Sequence, residues 1–267
     1  MGTSPMEEQE KKYTYFASDF HLGVPNREIS LEREKKIVSW LNEIEKNASA
    51  IYLVGDIFDF WFEYKHAIPK GFIRLQAKII ELTDKGIPVH FFLGNHDMWM
   101  FDYFKTELGV QIHSDEIEIE LNGKLFYIAH GDGLGPGDKG YKLIKKIFRN
   151  RICQWAFARL HPNFGIALAS YFSKTSRIST GAEDAVLQNL DKEWLYQFTK
   201  SAEVTKHRDF YIFGHRHLPL KFEIGQTYYF NLGEWLNFCT FGRFDGEKFE
   251  ILQWKNDQIQ PFKTISE

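Results

Sequence analysis

The chain has 267 residues, 43% hydrophobic and 26% charged, which is a globular composition able to bury one large core. Two cysteines, Cys153 and Cys239, exclude a disulfide framework and fit a reducing, cytoplasmic setting. No stretch approaches the roughly 18 uncharged apolar residues of a membrane span, so any membrane contact is expected to be peripheral.

The net charge of −3 is unevenly spread. Between Lys139 and Ala182 there are nine basic residues and no acid, leaving a basic island on an acidic body. Aromatics make up 16% of the chain, with 25 Phe, which points to a bulky core or a site for an apolar ligand. Residues 1–12 are polar and lack an apolar run, so a disordered tail is expected there and not a signal peptide. One domain is expected over 13–267.

In chain order, Tyr13 to Ser18 reads as a strand ending at Asp19. Leu31 to Lys46 has the apolar spacing of a helix, and Ile51 to Val54 is a short buried strand stopping at Gly55-Asp56. A second helix is predicted from Phe72 to Lys85, closed by Gly86, and a strand from Pro88 to Leu93 stops at Gly94-Asn95. Strands Ile117 to Leu121 and Lys124 to Ala129 flank Asn122-Gly123, a strong hairpin signal, and the second ends at His130. Asp209 to Phe213 ends at Gly214-His215, and Thr227 to Leu232 and Lys248 to Trp254 close the set. Helices alternating with strands, followed by hairpins, predict an α/β fold of sheets covered by helices.

Tyr141 to Phe172 breaks this rhythm. Ile144, Ile147, Phe148, Ile152 and Trp155 recur every three or four residues, an amphipathic helix that Pro162 is expected to break, with a second short helix from Phe164 to Phe172. Lys142, Lys145, Lys146 and Arg149 lie off the apolar stripe. An inserted helical lid is therefore expected over 139–180; an ordinary solvated surface helix is the plainer reading.

The strand ends carry the chemistry. Asp19-Phe20-His21, Gly55-Asp56-Ile57-Phe58-Asp59, Gly94-Asn95-His96-Asp97, His130-Gly131-Asp132 and Gly214-His215-Arg216-His217 together supply carboxylate, imidazole and amide oxygen. Two divalent ions about 3.5–4 Å apart clamp an in-line displacement at phosphorus, and a carboxylate is the natural bridge between them. Asp56 suits that place, Asn95 offers an amide oxygen, and His21, His130, His215 and His217 offer nitrogen. This mixed set favours Mn, Fe, Zn or Co over Ca or Mg.

These motifs resemble the calcineurin-like metallophosphoesterase superfamily, whose pattern is DxH, GDxxD, GNH[DE], a later His and GHxH; the resemblance covers residues 13 to 235. It implies a β-sandwich flanked by helices. It implies one ion held by Asp19, His21, Asp56 and His217, a second held by Asp56, Asn95, His130 and His215, and Asp56 bridging. It also implies that His96 contacts the phosphoryl group and protonates the leaving group, oriented by Asp59. Two divalent ions are expected, with Mn the ion of choice.

Within the superfamily the chain is most similar to the UDP-2,3-diacylglucosamine hydrolase family of lipid A biosynthesis. The further matches are Asp19-Phe20-His21-Leu22-Gly23, Gly55 through Trp61, Asp138 and Tyr141 after His130-Gly131-Asp132, the basic lid, and Gly214 through Pro219. The resemblance implies cleavage of the pyrophosphate to UMP and lipid X. Asn95, His96, Asp138, Tyr141, Lys174, Arg177 and His215 would contact the substrate. The expected partners are this acylated UDP-sugar and the anionic cytoplasmic face of the inner membrane; neither nucleic acid nor an obligate protein partner is expected. One residue departs from the pattern, since the better-known proteobacterial members carry Arg at the place of His96. Two alternatives stand beside this reading: a broader metal-dependent phosphodiesterase or nucleotide phosphohydrolase, and a non-catalytic scaffold of the same fold.

Overall fold

The structure, a computed structural model, describes residues 12–135, 139–169, 171–173, 187, 190 and 193–265. Seven strands form one sheet in the order β12-β11-β10-β1-β2-β3-β4, and five form a second in the order β5-β6-β7-β9-β8. In the first, β1 (Tyr13–Ala17), β2 (Ala48–Val54), β3 (Val89–Phe92) and β4 (Gln111–His113) run parallel. On the far side of β1 come β10 (Thr240–Phe244), β11 (Phe249–Lys255) and β12 (Gln258–Pro261), each antiparallel to its neighbour. In the second, β6 (Lys124–Ala129), β7 (Phe210–Phe213) and β9 (Thr227–Leu232) are parallel, edged by antiparallel β5 (Ile117–Leu121) and β8 (Pro219–Ile224).

Successive side chains of a strand point to opposite faces, and here both faces are apolar. Phe16, Tyr52, Val54 and Phe92 of the first sheet meet Phe126, Ile128, Phe210 and Ile212 of the second. The intervening Tyr15, Ala17, Ile51, Leu53 and Phe91 pack outward, in one cluster with Ile37, Trp40, Leu75, Ile79 and Phe104. Those residues belong to α1 (Arg27–Ile44), α2 (Ile73–Asp84) and α3 (Tyr103–Leu108). On the other side, Tyr127, Ala129, Tyr211 and Phe213 pack with Leu195 of α6 (Trp194–Thr205). The result is a β-sandwich with helices outside both sheets, the expected fold class.

Several boundaries differ from the sequence-based expectation. α1 starts at Arg27 because Asn26 caps it, its Oδ1 accepting from Ile29 N at 2.9 Å. The segment 139–169 breaks at Asn150 as well as just ahead of Pro162, where the expected break lies. α4 (Lys139–Arg149) ends at the first of these, and the Asn150 side chain caps α5 (Arg151–Phe157) by accepting from Ile152 N and Cys153 N. A further helical stretch covers 162–169.

The helical segment expected as a lid is turned opposite to an ordinary surface helix. Ile152 is 75% exposed, Trp155 59% and Phe172 61%, and Leu143, Ile144 and Ile147 are also exposed. The basic residues instead grip the body. Lys142 donates to the Gly135 carbonyl at 2.6 Å, Lys145 pairs with Asp132 at 2.6 Å, and Arg149 pairs with Asp115 at 2.7 Å. Two aromatic contacts hold the other end. Trp99 Nε1 donates to the Phe148 carbonyl at 2.8 Å, and Phe157 packs on Phe60, Phe62 and Trp99.

Candidate metal centre

The carboxyl ends of β1, β2, β3, β6 and β7 lie side by side, so the five motifs converge at one end of the sandwich. Backbone bonds stitch them together: Asp19 N to Gly55 O at 3.0 Å, His21 N to Asp56 O at 2.9 Å, and Gly214 N to His130 O at 3.0 Å. The motif glycines permit this closeness. A Cβ at Gly94 would lie 2.2 Å from Asp56 Oδ1, and one at Gly214 would lie 2.6 Å from Asp19 Oδ2. Asp19, His21, Asp56, His215 and His217 all adopt left-handed backbone, with φ between 45° and 68°. Such strain costs of order 1–3 kcal/mol per residue and gathers at functional sites.

Two groups of donors result. Asp19, His21 and His217 form the first, with His21 Nε2 3.0 Å from His217 Nε2 and at 3.5 Å from Asp19 Oδ1, which His217 Nε2 approaches to 3.3 Å. Asp56, His130 and His215 form the second, with His130 Nε2 3.3 Å from Asp56 Oδ2 and 3.2 Å from Asn95 Oδ1. Asp56 Oδ2 also lies 3.9 Å from His21 Nε2, so this carboxylate stands between the groups. His130 Nδ1 donates to the Val54 carbonyl at 2.8 Å, which turns Nε2 toward the site.

The residues fit a pair of divalent cations. Asp19 Oδ1 is buried and makes no hydrogen bond, although two imidazole nitrogens face it. Burial opposes ionisation of Asp56, but the charges of His130 and His96 hold it well below the usual carboxylate range. Burial likewise opposes a charged His130, yet Asp56 pushes it up to about 10. The buried carboxylates thus draw positive charge into the site. Burial and the charge at His130 push His215 down to about 4, leaving it a neutral nitrogen donor.

His21, Asp59 and His96 form a third group beside the first. His96 Nδ1 lies 3.7 Å from Asp59 Oδ1 and 3.1 Å from the Asp59 carbonyl oxygen. The orienting contact expected from the Asp59 carboxylate is therefore beyond hydrogen-bond distance at that oxygen.

Sequence reasoning missed three supporting residues. Asp97 is fully buried and accepts from Gly94 N at 2.8 Å, Asp56 N at 3.3 Å, Ile57 N at 2.7 Å and Phe58 N at 3.3 Å. It thereby ties the Asp56 loop to the Asn95 loop. Its place after His96 in a motif was the one available signal. Arg33 of α1 reaches under the Asp19 loop and donates to the carbonyls of His21 at 2.7 Å and Val24 at 3.1 Å. Ser173, on the lid, lies 2.9 Å from His96 Nδ1. Nothing in the local pattern around Arg33 or Ser173 pointed here.

Asp97→Ala would leave four backbone donors with their acceptor gone. Each unmet buried group costs about 1–3 kcal/mol, so a loss of about 3 kcal/mol or more is expected, read as a lower denaturant midpoint with unchanged slope. An unchanged midpoint would remove Asp97 from this role.

Not every expected site residue is placed here. Asp138, Lys174 and Arg177 lie outside the described residues, as does the side chain of Tyr141.

The sequence profile of the calcineurin-like phosphoesterases matches residues 13–246. The chain belongs to the calcineurin-like phosphoesterase family. This phosphoesterase is 38% identical over 246 residues to a UDP-2,3-diacylglucosamine hydrolase of Porphyromonas gingivalis, covering 87% of this chain and 94% of that one. It is 27% identical over 262 residues to a hydrolase of the same name from Vibrio parahaemolyticus, covering 94% and 99%. A third, from Histophilus somni, is 26% identical over 208 residues, covering 77% and 84%. Among the described residues no helix of the phosphoesterase is long and apolar enough to cross a membrane.

Proposed function

We propose that the protein hydrolyses the pyrophosphate bond of UDP-2,3-diacylglucosamine, releasing UMP and 2,3-diacylglucosamine 1-phosphate. The observation that carries this reading is the inverted lid: an exposed apolar helical face beside a phosphoesterase ligand set. A soluble nucleotide gives no reason for that face, whereas acyl chains do. The similarity to hydrolases of that name over nearly their whole length supports the same substrate.

In this reading Asp19, His21, Asp56 and His217 hold one ion and Asp56, Asn95, His130 and His215 the other, with Mn the expected metal. When bound, such a pair supplies an activated water and stabilises charge on the phosphoryl oxygens. The chain's own residues do the rest. Val54 and Asp97 fix the orientations of His130 and the Asp56 loop. Asn95, His96 and His215 contact the phosphoryl group, with Asp138, Tyr141, Lys174 and Arg177 as further contacts. His96 gives a proton to the leaving oxygen. The apolar lid face meets acyl chains, and Lys146, Arg151 and Arg159, on the same segment, suit an anionic bilayer surface on the cytoplasmic side of the inner membrane.

The test is direct. Purified protein loaded with Mn is incubated with UDP-2,3-diacylglucosamine, and UMP together with the acylated sugar phosphate are the expected products. Release of neither, alongside brisk hydrolysis of simple phosphodiesters, would replace this reading with a broader phosphodiesterase.

A second expectation concerns His96. His96→Ala should keep both ions but lose rate, within the about 10²–10⁴-fold that a positioned acid supplies. The loss should be largest for a poor leaving group and small for nitrophenolate. Equal losses for both would count against proton donation and leave His96 a phosphate contact.

A further inference from the structure

Ser173 connects the lid to the acid group. Its Oγ lies 2.9 Å from Asp59 Oδ2, 3.2 Å from the Asp59 carbonyl oxygen and 2.9 Å from His96 Nδ1. A hydroxyl has one proton to donate and two lone pairs with which to accept. The arrangement that satisfies all the groups has Oγ–H donating to the Asp59 carboxylate and His96 Nδ1–H shared between Oγ and the Asp59 carbonyl oxygen, 3.1 Å away. Asp59 Oδ1 is 3.7 Å from His96 Nδ1, so the serine supplies the hydrogen bond that this oxygen does not.

We propose that Ser173 is a positioning residue: the lid delivers the hydroxyl through which the Asp59 carboxylate orients His96. The inference rests on the reading of His96 as proton donor. It adds that the donor is complete only when the lid is seated. Ser173 sits 77 residues from His96 and 114 from Asp59 in sequence, so only the docked lid brings it there. The same segment carries Tyr171 and Phe172, whose rings are exposed. An acyl chain that settles the lid would therefore also settle His96, and acylated substrates would be favoured in kcat as well as in KM. Induced completion of a catalytic group by the correct substrate is a known source of specificity.

The test uses the full-length, metal-loaded enzyme and a series of aryl esters of uridine 5′-phosphate with phenols of rising pKa. Metal content and thermal unfolding are recorded for every variant. Ser173→Ala should lose kcat progressively as the phenol becomes a poorer leaving group, roughly tenfold at the poor end, a part of what the acid supplies. Ser173→Thr keeps the hydroxyl and should retain the wild-type slope. In a His96→Ala background, Ser173→Ala should cost nothing more, because the group it positions is gone. A uniform loss across the series, or full additivity with His96→Ala, overturns the assignment. A slope that changes in His96→Ala but not in Ser173→Ala overturns only the role of Ser173. A slope unchanged in His96→Ala takes down the proton-donor reading and this inference with it.

Discussion

Asp56→Ala is expected to abolish hydrolysis of every substrate and to lower the divalent metal content below two ions per chain. The geometry makes this the most damaging single change at the site. Asp56 Oδ2 faces His130 Nε2 at 3.3 Å and His21 Nε2 at 3.9 Å, one nitrogen from each donor group. Its other oxygen accepts from His96 N at 2.9 Å and so also holds His96, the proposed acid, in place. On the proposed bridging assignment, removing one side chain takes a ligand from both ions and the anchor from His96. Such ions contribute several kcal/mol of transition-state stabilisation, and each 1.36 kcal/mol is tenfold, so a fall of at least about 10³-fold is expected. Turnover of a nitrophenyl phosphodiester and metal per chain are measured together. Chelation of the wild type should give the same loss, reversed by added Mn. A variant that kept two ions and normal turnover would end the bridging assignment. Asp56→Asn is the sharper version: it keeps an oxygen for His96 N but lacks the bridging charge, and it should lose nearly as much.

Shortening the acyl chains should have the second-largest effect. Each buried CH₂ contributes about 0.8 kcal/mol, which is about fourfold in kcat/KM, so removing a few methylenes should cost orders of magnitude. The exposed Ile152, Trp155, Phe164 and Phe172 are the surface available for that burial. UDP-glucosamine without acyl chains should be a very poor substrate for the intact enzyme. Equal kcat/KM for the diacyl and free forms would mean that the lid is no acyl receptor. Replacing Tyr141 to Phe172 by a short Gly linker should likewise spare a small aryl phosphodiester and lose the acylated substrate. That variant also exposes Trp99 and Phe62, which Phe157 now covers, so its folding needs checking by thermal unfolding.

The ligand types and their places on the chain were legible because each is a local event. An apolar run of four to seven residues, then a ligand, preceded by glycine at Asp56, Asn95 and His215, marks a strand end whatever surrounds it. The two-faced apolar strands were legible for the same reason, and they required cover on both sides. Other elements left no such mark. β10 pairs antiparallel with the central β1 although more than two hundred residues separate them, and no local period encodes a partner that distant. β4 and α3 are too short to show a period at all.

By itself the sequence determined which atoms reach the site: two carboxylates, an amide and four imidazoles, each fixed to a strand end by the residues on either side. Only the tertiary structure decided which of them meet. His21 and His217 are 196 residues apart, and their nitrogens come within 3.0 Å because β1 and β7 end at the same edge of the sandwich. The amphipathic period of the lid likewise determined that it has an apolar face, but not which way that face turns. Lys142, Lys145 and Arg149 found acceptors on the body, and Trp99 and Phe157 fixed the far end. Those contacts turned the apolar stripe outward and carried Ser173 to His96. A helical period is a property of one segment, whereas its orientation depends on partners elsewhere in the chain.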